Sequence, residues 1–214
     1  MATGLKTPIE KVRAPRREAR DGIRAEAKSE LQVHSTYTDR SRVLGIDPGL
    51  DRTGYAVVEM PLGRVIEAGL IRSNARRRLE ERLVELADGI EEVMKEHCPT
   101  LVGVEELFAH YAHPKTAILM GHARGIVLLT AARRGVEVMG ILPNRVKKML
   151  TGNGHASKLQ MQKAVAVTLG LPRLPEPSDV ADAIAIAWCA GRLETQIRAA
   201  TARARGRAPG GRNR

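Results

Sequence analysis

Residues 43–49 read Val-Leu-Gly-Ile-Asp-Pro-Gly. A short apolar run ends in a carboxylate, and Pro-Gly then stops it. Proline removes a backbone donor and glycine frees a turn, so residues 43–46 form a strand that ends at Asp47. Such a strand holds one negative charge at the mouth of a sheet. Residues 50–54, Leu-Asp-Arg-Thr-Gly, turn the chain, and a second strand covers residues 54–60. Alone, Asp-Pro-Gly is only a turn. Its meaning depends on whether other carboxylates arrive at the same place.

The chain in order supplies them. Pro61-Leu62-Gly63 is a turn signal, and residues 64–72 are a third strand, which completes an antiparallel meander. Leu79, Leu83, Leu86, Ile90 and Val93 recur at intervals of 4, 3, 4 and 3. That is an amphipathic helix, ended before Pro99. Leu101-Val102-Gly103-Val104-Glu105 is a second short apolar run ending in a carboxylate. It follows a helix and so pairs parallel to the first strand. In open sheets with helical crossovers, ligands gather at the carboxyl ends of parallel strands. Asp47 and Glu105 both fall there.

Residues 116–134 form a helix that is apolar on much of its circumference, with small residues at Ala117, Gly121, Ala123 and Gly125. It is either a buried core helix or a homodimer contact. Residues 135–142 are a last strand. Pro143 opens a short helix carrying Arg145, Lys147 and Lys148, and Ser157 caps a helix over residues 158–169. Three prolines between residues 171 and 177 break that helix. The final helix runs from Ser178 to about residue 196, with Asp179 and Asp182 on one face of its start. Asp179 complements the helix dipole. Asp182 is different, because it sits inside Val-Ala-Asp-Ala-Ile-Ala-Ile-Ala, where a lone charge is costly. A metal or a cationic partner would offset that cost.

Charge partition separates the domain from its flanks. The formal net charge is +11, but residues 1–42 carry 10 basic and 6 acidic residues, and residues 192–214 carry 7 arginines and one glutamate. Residues 43–191 are left near neutrality, with 18 basic and 17 acidic residues. The expected organisation is a basic, disordered extension over 1–42, a folded domain over 43–191 and an Arg-rich tail over 192–214. Within the domain, residues 133–163 hold seven basic residues against Glu137 alone. One basic side and two cationic flanks suit a polyanion. Aromatics are only 2% of the chain, so the core is aliphatic, and Phe108, the single Phe, draws notice. Cys98 and Cys189 lack metal-ligand spacing and are read as reduced thiols. No stretch is apolar enough to span a bilayer and no signal region opens the chain, so the expected location is cytoplasmic, with no membrane partner.

If Asp47, Glu105, Asp179 and Asp182 converge, each pair of charges about 5 Å apart repels by roughly 3 kcal/mol at an effective dielectric near 20. Such a cluster raises its own pKa values or recruits cations. Oxygen ligands without His or Cys favour Mg²⁺, with Mn²⁺ as a substitute. Two such ions about 4 Å apart activate a water and stabilise a leaving oxygen, which is phosphodiester hydrolysis.

Four segments carry a resemblance in the same order and spacing. Gly-Ile-Asp-Pro-Gly-Leu-Asp-Arg-Thr-Gly-Tyr (45–55), Val-Glu-Glu-Leu-Phe (104–108), His-Ala-Arg-Gly (122–125) and Asp-Val-Ala-Asp-Ala-Ile-Ala-Ile-Ala (179–187) resemble the bacterial RuvC family of Holliday junction resolvases. The resemblance implies an α/β, ribonuclease H-like fold, a five-stranded mixed sheet with helices on both faces. It implies that Asp47, Glu105, Asp179 and Asp182 are the catalytic, metal-binding set for two Mg²⁺ ions per subunit, with Asp47 bridging them. It implies a homodimer that makes paired symmetric cuts in four-way junction DNA during recombination and repair, alongside the branch-migration proteins RuvA and RuvB. Phe108 matches an aromatic that inserts at the opened junction, and Lys147 and Lys158 match lysines on the DNA backbone. The residues themselves leave two alternatives: an enzyme of the same fold acting on RNA or replication forks, and a noncatalytic junction binder. The intact acid set argues against the binder, which gains nothing from negative charge facing phosphate.

Overall fold

The computed structural model describes residues 9–13, 41–107 and 114–206. Its strands are β1 (Ile9–Arg13), β2 (Ser41–Asp47), β3 (Arg52–Met60), β4 (Arg64–Arg72), β5 (Leu101–Glu105) and β6 (Glu137–Ile141). Its helices are α1 (Leu79–His97), α2 (Pro114–Arg133), α3 (Pro143–Thr151), α4 (Lys158–Leu169) and α5 (Ser178–Gly206). The strands form one sheet in the order β1-β4-β3-β2-β5-β6. β2, β3 and β4 are the antiparallel meander, while β5 runs parallel to β2 and β6 parallel to β5. These five are the mixed sheet that the resemblance implies.

Two elements differ from the sequence expectation. The segment expected to be disordered contributes a sixth strand, since β1 pairs antiparallel with the outer edge of β4. An unpaired edge offers a row of backbone donors and acceptors, and even a highly charged segment satisfies them through its main chain. The last helix continues to Gly206 rather than ending near residue 196. Residues 194–204 are half-buried or exposed, and the run is rich in alanine and arginine, both strong helix formers.

Period-two alternation divides the core between two faces. Val43, Ala56, Val58 and Leu101 pack with Ile184 and Ile186 of α5 on one side. Leu44, Ile46, Val57, Val102 and Val104 pack on the other with Leu86, Ile90 and Val93 of α1 and Ala123, Val127 and Ala131 of α2. α2 is therefore apolar on an inner face that is core, while Ile118 and Leu129 on its outer side are exposed at 60% and 46%.

α5 lies closer to the sheet than side chains would permit. A Cβ placed on Gly45 of β2 would sit 2.2 Å from the Ala183 carbonyl oxygen and 2.4 Å from the Ala187 nitrogen. One on Gly54 of β3 would sit 2.1 Å from the Asp179 carbonyl oxygen. Gly103, paired with Gly45 across β2 and β5, faces Ala190 in the same way, at 2.8 Å. Glycines on the strands and alanines on the helix together remove the usual layer of side chains between them. We expect Gly45→Ala to lower stability by about 1–3 kcal/mol, because the backbone of α5 must shift to admit a methyl group. Urea denaturation of the two proteins measures it, and an unchanged midpoint would contradict the close seating.

Candidate active site

Parity places the first two acids. Asp47 lies two residues beyond Gly45 and Glu105 two beyond Gly103, so both project from the face on which α5 is seated. They close adjacent parallel strands at corresponding ends. Pro48 and Gly49 then take the chain away. The turn is held by Thr53, whose Oγ1 donates to the Gly49 carbonyl at 2.6 Å, and by Ser73, whose Oγ donates to the Leu50 carbonyl at 2.6 Å. Arg82 of α1 donates to Ser73 Oγ at 3.1 Å and also reaches the Asp51 carboxylate.

α5 supplies the other two. Asp179 and Asp182 stand in its first turns, and the seating of Asp179 against Gly54, the partner of Asp47 across β2 and β3, sets that end of the helix over the strand ends. The Asp47 carboxylate feels the other three. Burial pushes the Asp47 carboxyl up to about 8, reinforced by the charges of Glu105, Asp182 and Asp179 and opposed by Lys158. Burial pushes Glu105 up to about 7, with Asp182 adding to the rise and Lys147 opposing it. Asp182 is also raised, by burial first, with Lys158 and Lys147 drawing it down and Asp179 pushing it up. The cost of a charge in the apolar start of α5 is thus visible in the fold.

Lys147 and Lys158 come to the same place from separate helices. Pro143 at the first position of α3 fixes the helix that carries Lys147. Ser157 caps α4 reciprocally, its Oγ accepting from the Gln160 amide at 3.3 Å while Gln160 Oε1 accepts from the Ser157 amide at 2.8 Å. That cap sets Lys158 as the first residue of α4. Glu105, Lys147, Lys158 and Asp182 line one cleft, floored by Val146, Met161 and Ile186. Acids on the sheet side facing lysines on the helix side can hold a cation and an anionic group together. Phe108 lies outside the described residues.

Two arginines at the site escaped the sequence reading. Arg52 Nε lies 3.6 Å from Asp179 Oδ2 and gives this acid a charge partner of its own. Arg124 of α2 donates from Nε to the Glu105 carbonyl oxygen at 3.2 Å, fixing the end of β5 from the opposite face. The signal for Arg124 was present, since it interrupts the apolar run between Ile118 and Ala132.

The donor set fits a hard divalent cation. It consists of carboxylate oxygens, two of them raised by burial first and by neighbouring acids second, and among the described residues neither His nor Cys lines the cleft.

Comparison with known proteins points the same way. The family model for crossover junction endodeoxyribonuclease RuvC matches residues 43–190. The crossover junction endodeoxyribonuclease RuvC of Rhodopirellula baltica is 53% identical over 151 residues, covering 70% of this chain and 85% of that protein. The one from Leifsonia xyli subsp. xyli is 44% identical over 151 residues, covering 69% and 72%. The solved structure of T. thermophilus RuvC in complex with Holliday junction substrate superposes with a TM-score of 0.68 at 34% identity, covering 73% of this chain and 96% of that one.

The raised carboxyls give a pH test in metal-free buffer. A folded-state pKa above the unfolded value means that stability is full at low pH and is lost as pH rises through the folded value. For Asp47 that window runs from the ordinary 3.8 to about 8. Asp47→Asn removes this penalty, so the variant gains on the order of 1–3 kcal/mol over the parent at pH 8 and little at pH 4. Thermal melts in EDTA across that range check it, and a gain independent of pH would contradict the assignment.

Proposed function

The chain belongs to the crossover junction endodeoxyribonuclease RuvC family, and from that membership we propose a magnesium-dependent mechanism for its four-acid cleft. The protein is a structure-specific endonuclease that resolves four-way DNA junctions. The observation that carries this reading is the convergence of Asp47 and Glu105, from adjacent parallel strand ends, with Asp182 and Asp179 from a helix seated directly on those strands.

In this reading Asp47, Glu105, Asp179 and Asp182 would hold two Mg²⁺ ions, and Mn²⁺ could replace them. When bound, the ions supply Lewis-acid charge for water activation and for the leaving oxygen. The acids would fix where that charge sits, and the raised Asp47 and Glu105 would ionise more readily beside it. Lys147 and Lys158 bind the DNA backbone across the cleft from the acids. The start of α4 adds a positive dipole end beside Lys158. Arg124 keeps the end of β5, and with it Glu105, in register. Phe108, three residues beyond Glu105, inserts at the junction.

Paired symmetric cuts require two such sites. The outer side of α2 supports a homodimer through this helix: Ile118 and Leu129 are exposed, and nothing lies within 4 Å of a Cβ built on Gly121 or Gly125. RuvA and RuvB are the proposed branch-migration partners, and the cytoplasm is the proposed compartment. No helix among the described residues is long and apolar enough to cross a membrane.

A synthetic four-way junction tests the reading. Wild-type protein should nick two opposed strands at symmetric positions with Mg²⁺ and should bind without cutting in Ca²⁺. Asp47→Asn and Glu105→Gln should lower nicking by about 10³-fold or more while junction affinity stays within about threefold. Cutting at the wild-type rate would overturn the site. Lys158→Ala should weaken binding across sequences and flatten the dependence of log K on log[salt] by about 0.9. An unchanged slope would remove Lys158 from the backbone contacts.

A further inference from the structure

A second polar cluster is buried on the other face of the sheet, beneath the C-terminal end of α1. β4 carries a bulge opposite Val57 and Val58, so Val57 pairs with Glu67 and Val58 with Val65. Glu67 keeps the regular register that places Gly69 opposite Tyr55, so it faces inward among the apolar residues around Tyr55, and it is fully buried. Tyr55 Oη donates to Glu67 Oε1 at 2.9 Å. The other oxygen, Oε2, lies 3.5 Å from Nε2 of His97, the last residue of α1. Glu96 comes from the same turn, and the donor atoms of Glu67, Glu96 and His97 all lie within 4.8 Å of one another.

The imidazole gives the independent observation. The His97 side chain is only 8% exposed, and its Nε2 is buried, aimed into the cluster and without a hydrogen-bond partner. A charged His–carboxylate pair closes to about 2.7–2.9 Å when the nitrogen donates. A nitrogen and an oxygen that each lie about 2.0–2.2 Å from one ion stand roughly 3.3 Å apart. The 3.5 Å separation matches the second geometry. The Tyr55 hydroxyl orients Glu67 as an outer partner orients a metal-binding carboxylate. Glu96 is exposed, so the cluster has one side at the surface.

We propose that Glu67, Glu96 and His97 form a structural site for one divalent ion of the Zn²⁺ type, clipping the end of α1 to β4. One imidazole and two carboxylates favour such an ion over Mg²⁺, whose ligands are oxygens. Arg42, which donates to the His97 carbonyl at 3.0 Å, extends the clip to the start of β2. The site lies across the sheet from the four acids, and its role is stability rather than cleavage.

The test uses full-length protein carrying Asp47→Asn and Glu105→Gln, so that ion binding at the four-acid cleft is suppressed. Zn²⁺ competition against a chromophoric chelator should show one ion per chain, weakened about tenfold or more by Glu96→Gln and further by His97→Gln. Saturating Zn²⁺ should raise the melting temperature by about 5 °C, and Glu96→Gln should abolish that rise. Glu96 is exposed, so Glu96→Gln decides the matter even if His97→Gln fails to fold. Cys98→Ser should leave binding unchanged, since the Cys98 thiol turns to the Lys95 carbonyl at 3.6 Å. No stoichiometric Zn²⁺, binding unaltered by Glu96→Gln, or binding lost with Cys98→Ser would each overturn the proposal.

Discussion

The contact on which the rest depends is backbone against backbone, where α5 crosses Gly45 and Gly54. The carbonyl oxygens of Ala183 and Asp179 occupy the space that a Cβ would need. No other residue type permits that approach. Its consequence is positional, because a helix seated this low brings the carboxylates of its first turns level with the strand ends. With a layer of side chains in between, Asp179 and Asp182 would ride above Asp47 and Glu105. The cluster would then be two separate pairs. Packing therefore does the work that a ligand-binding loop does elsewhere, and rigid elements rather than loops carry all four acids.

Holding four carboxylates together costs free energy in the protein alone, and the raised Asp47, Glu105 and Asp182 record that cost. The fold meets it partly by placing Lys147 and Lys158 across the cleft and Arg52 beside Asp179. Cations would offset the remainder. Gathering like charges at one place in this way lowers the stability of the protein alone.

Much of this was legible along the chain. The strand ends at Asp47 and Glu105 follow from apolar runs stopped by Pro-Gly and by a loop, and the parallel pairing follows from the intervening helix. Asp182 stood out because a charge inside an alanine and isoleucine run has no cheap local explanation. Features built by contacts between distant residues were not legible. Nothing in the Arg- and Lys-rich start marks Ile9–Arg13 as an edge strand, because its pairing with β4 is carried by the main chain. Arg52 and Arg124 act on partners 127 and 19 residues away. Glu67 reads as an ordinary strand residue until the fold sets it beside His97, 30 residues later.

The central claim is that the seating of α5 makes one cation site out of acids from three elements. Anomalous scattering from a crystal grown with Mn²⁺ addresses it directly. The account predicts ordered Mn²⁺ enclosed by the carboxylates of Asp47, Glu105, Asp179 and Asp182, with Asp47 touching each ion found there. A map with no ordered ion among these four, at saturating Mn²⁺ and with α5 seated as described, would contradict it.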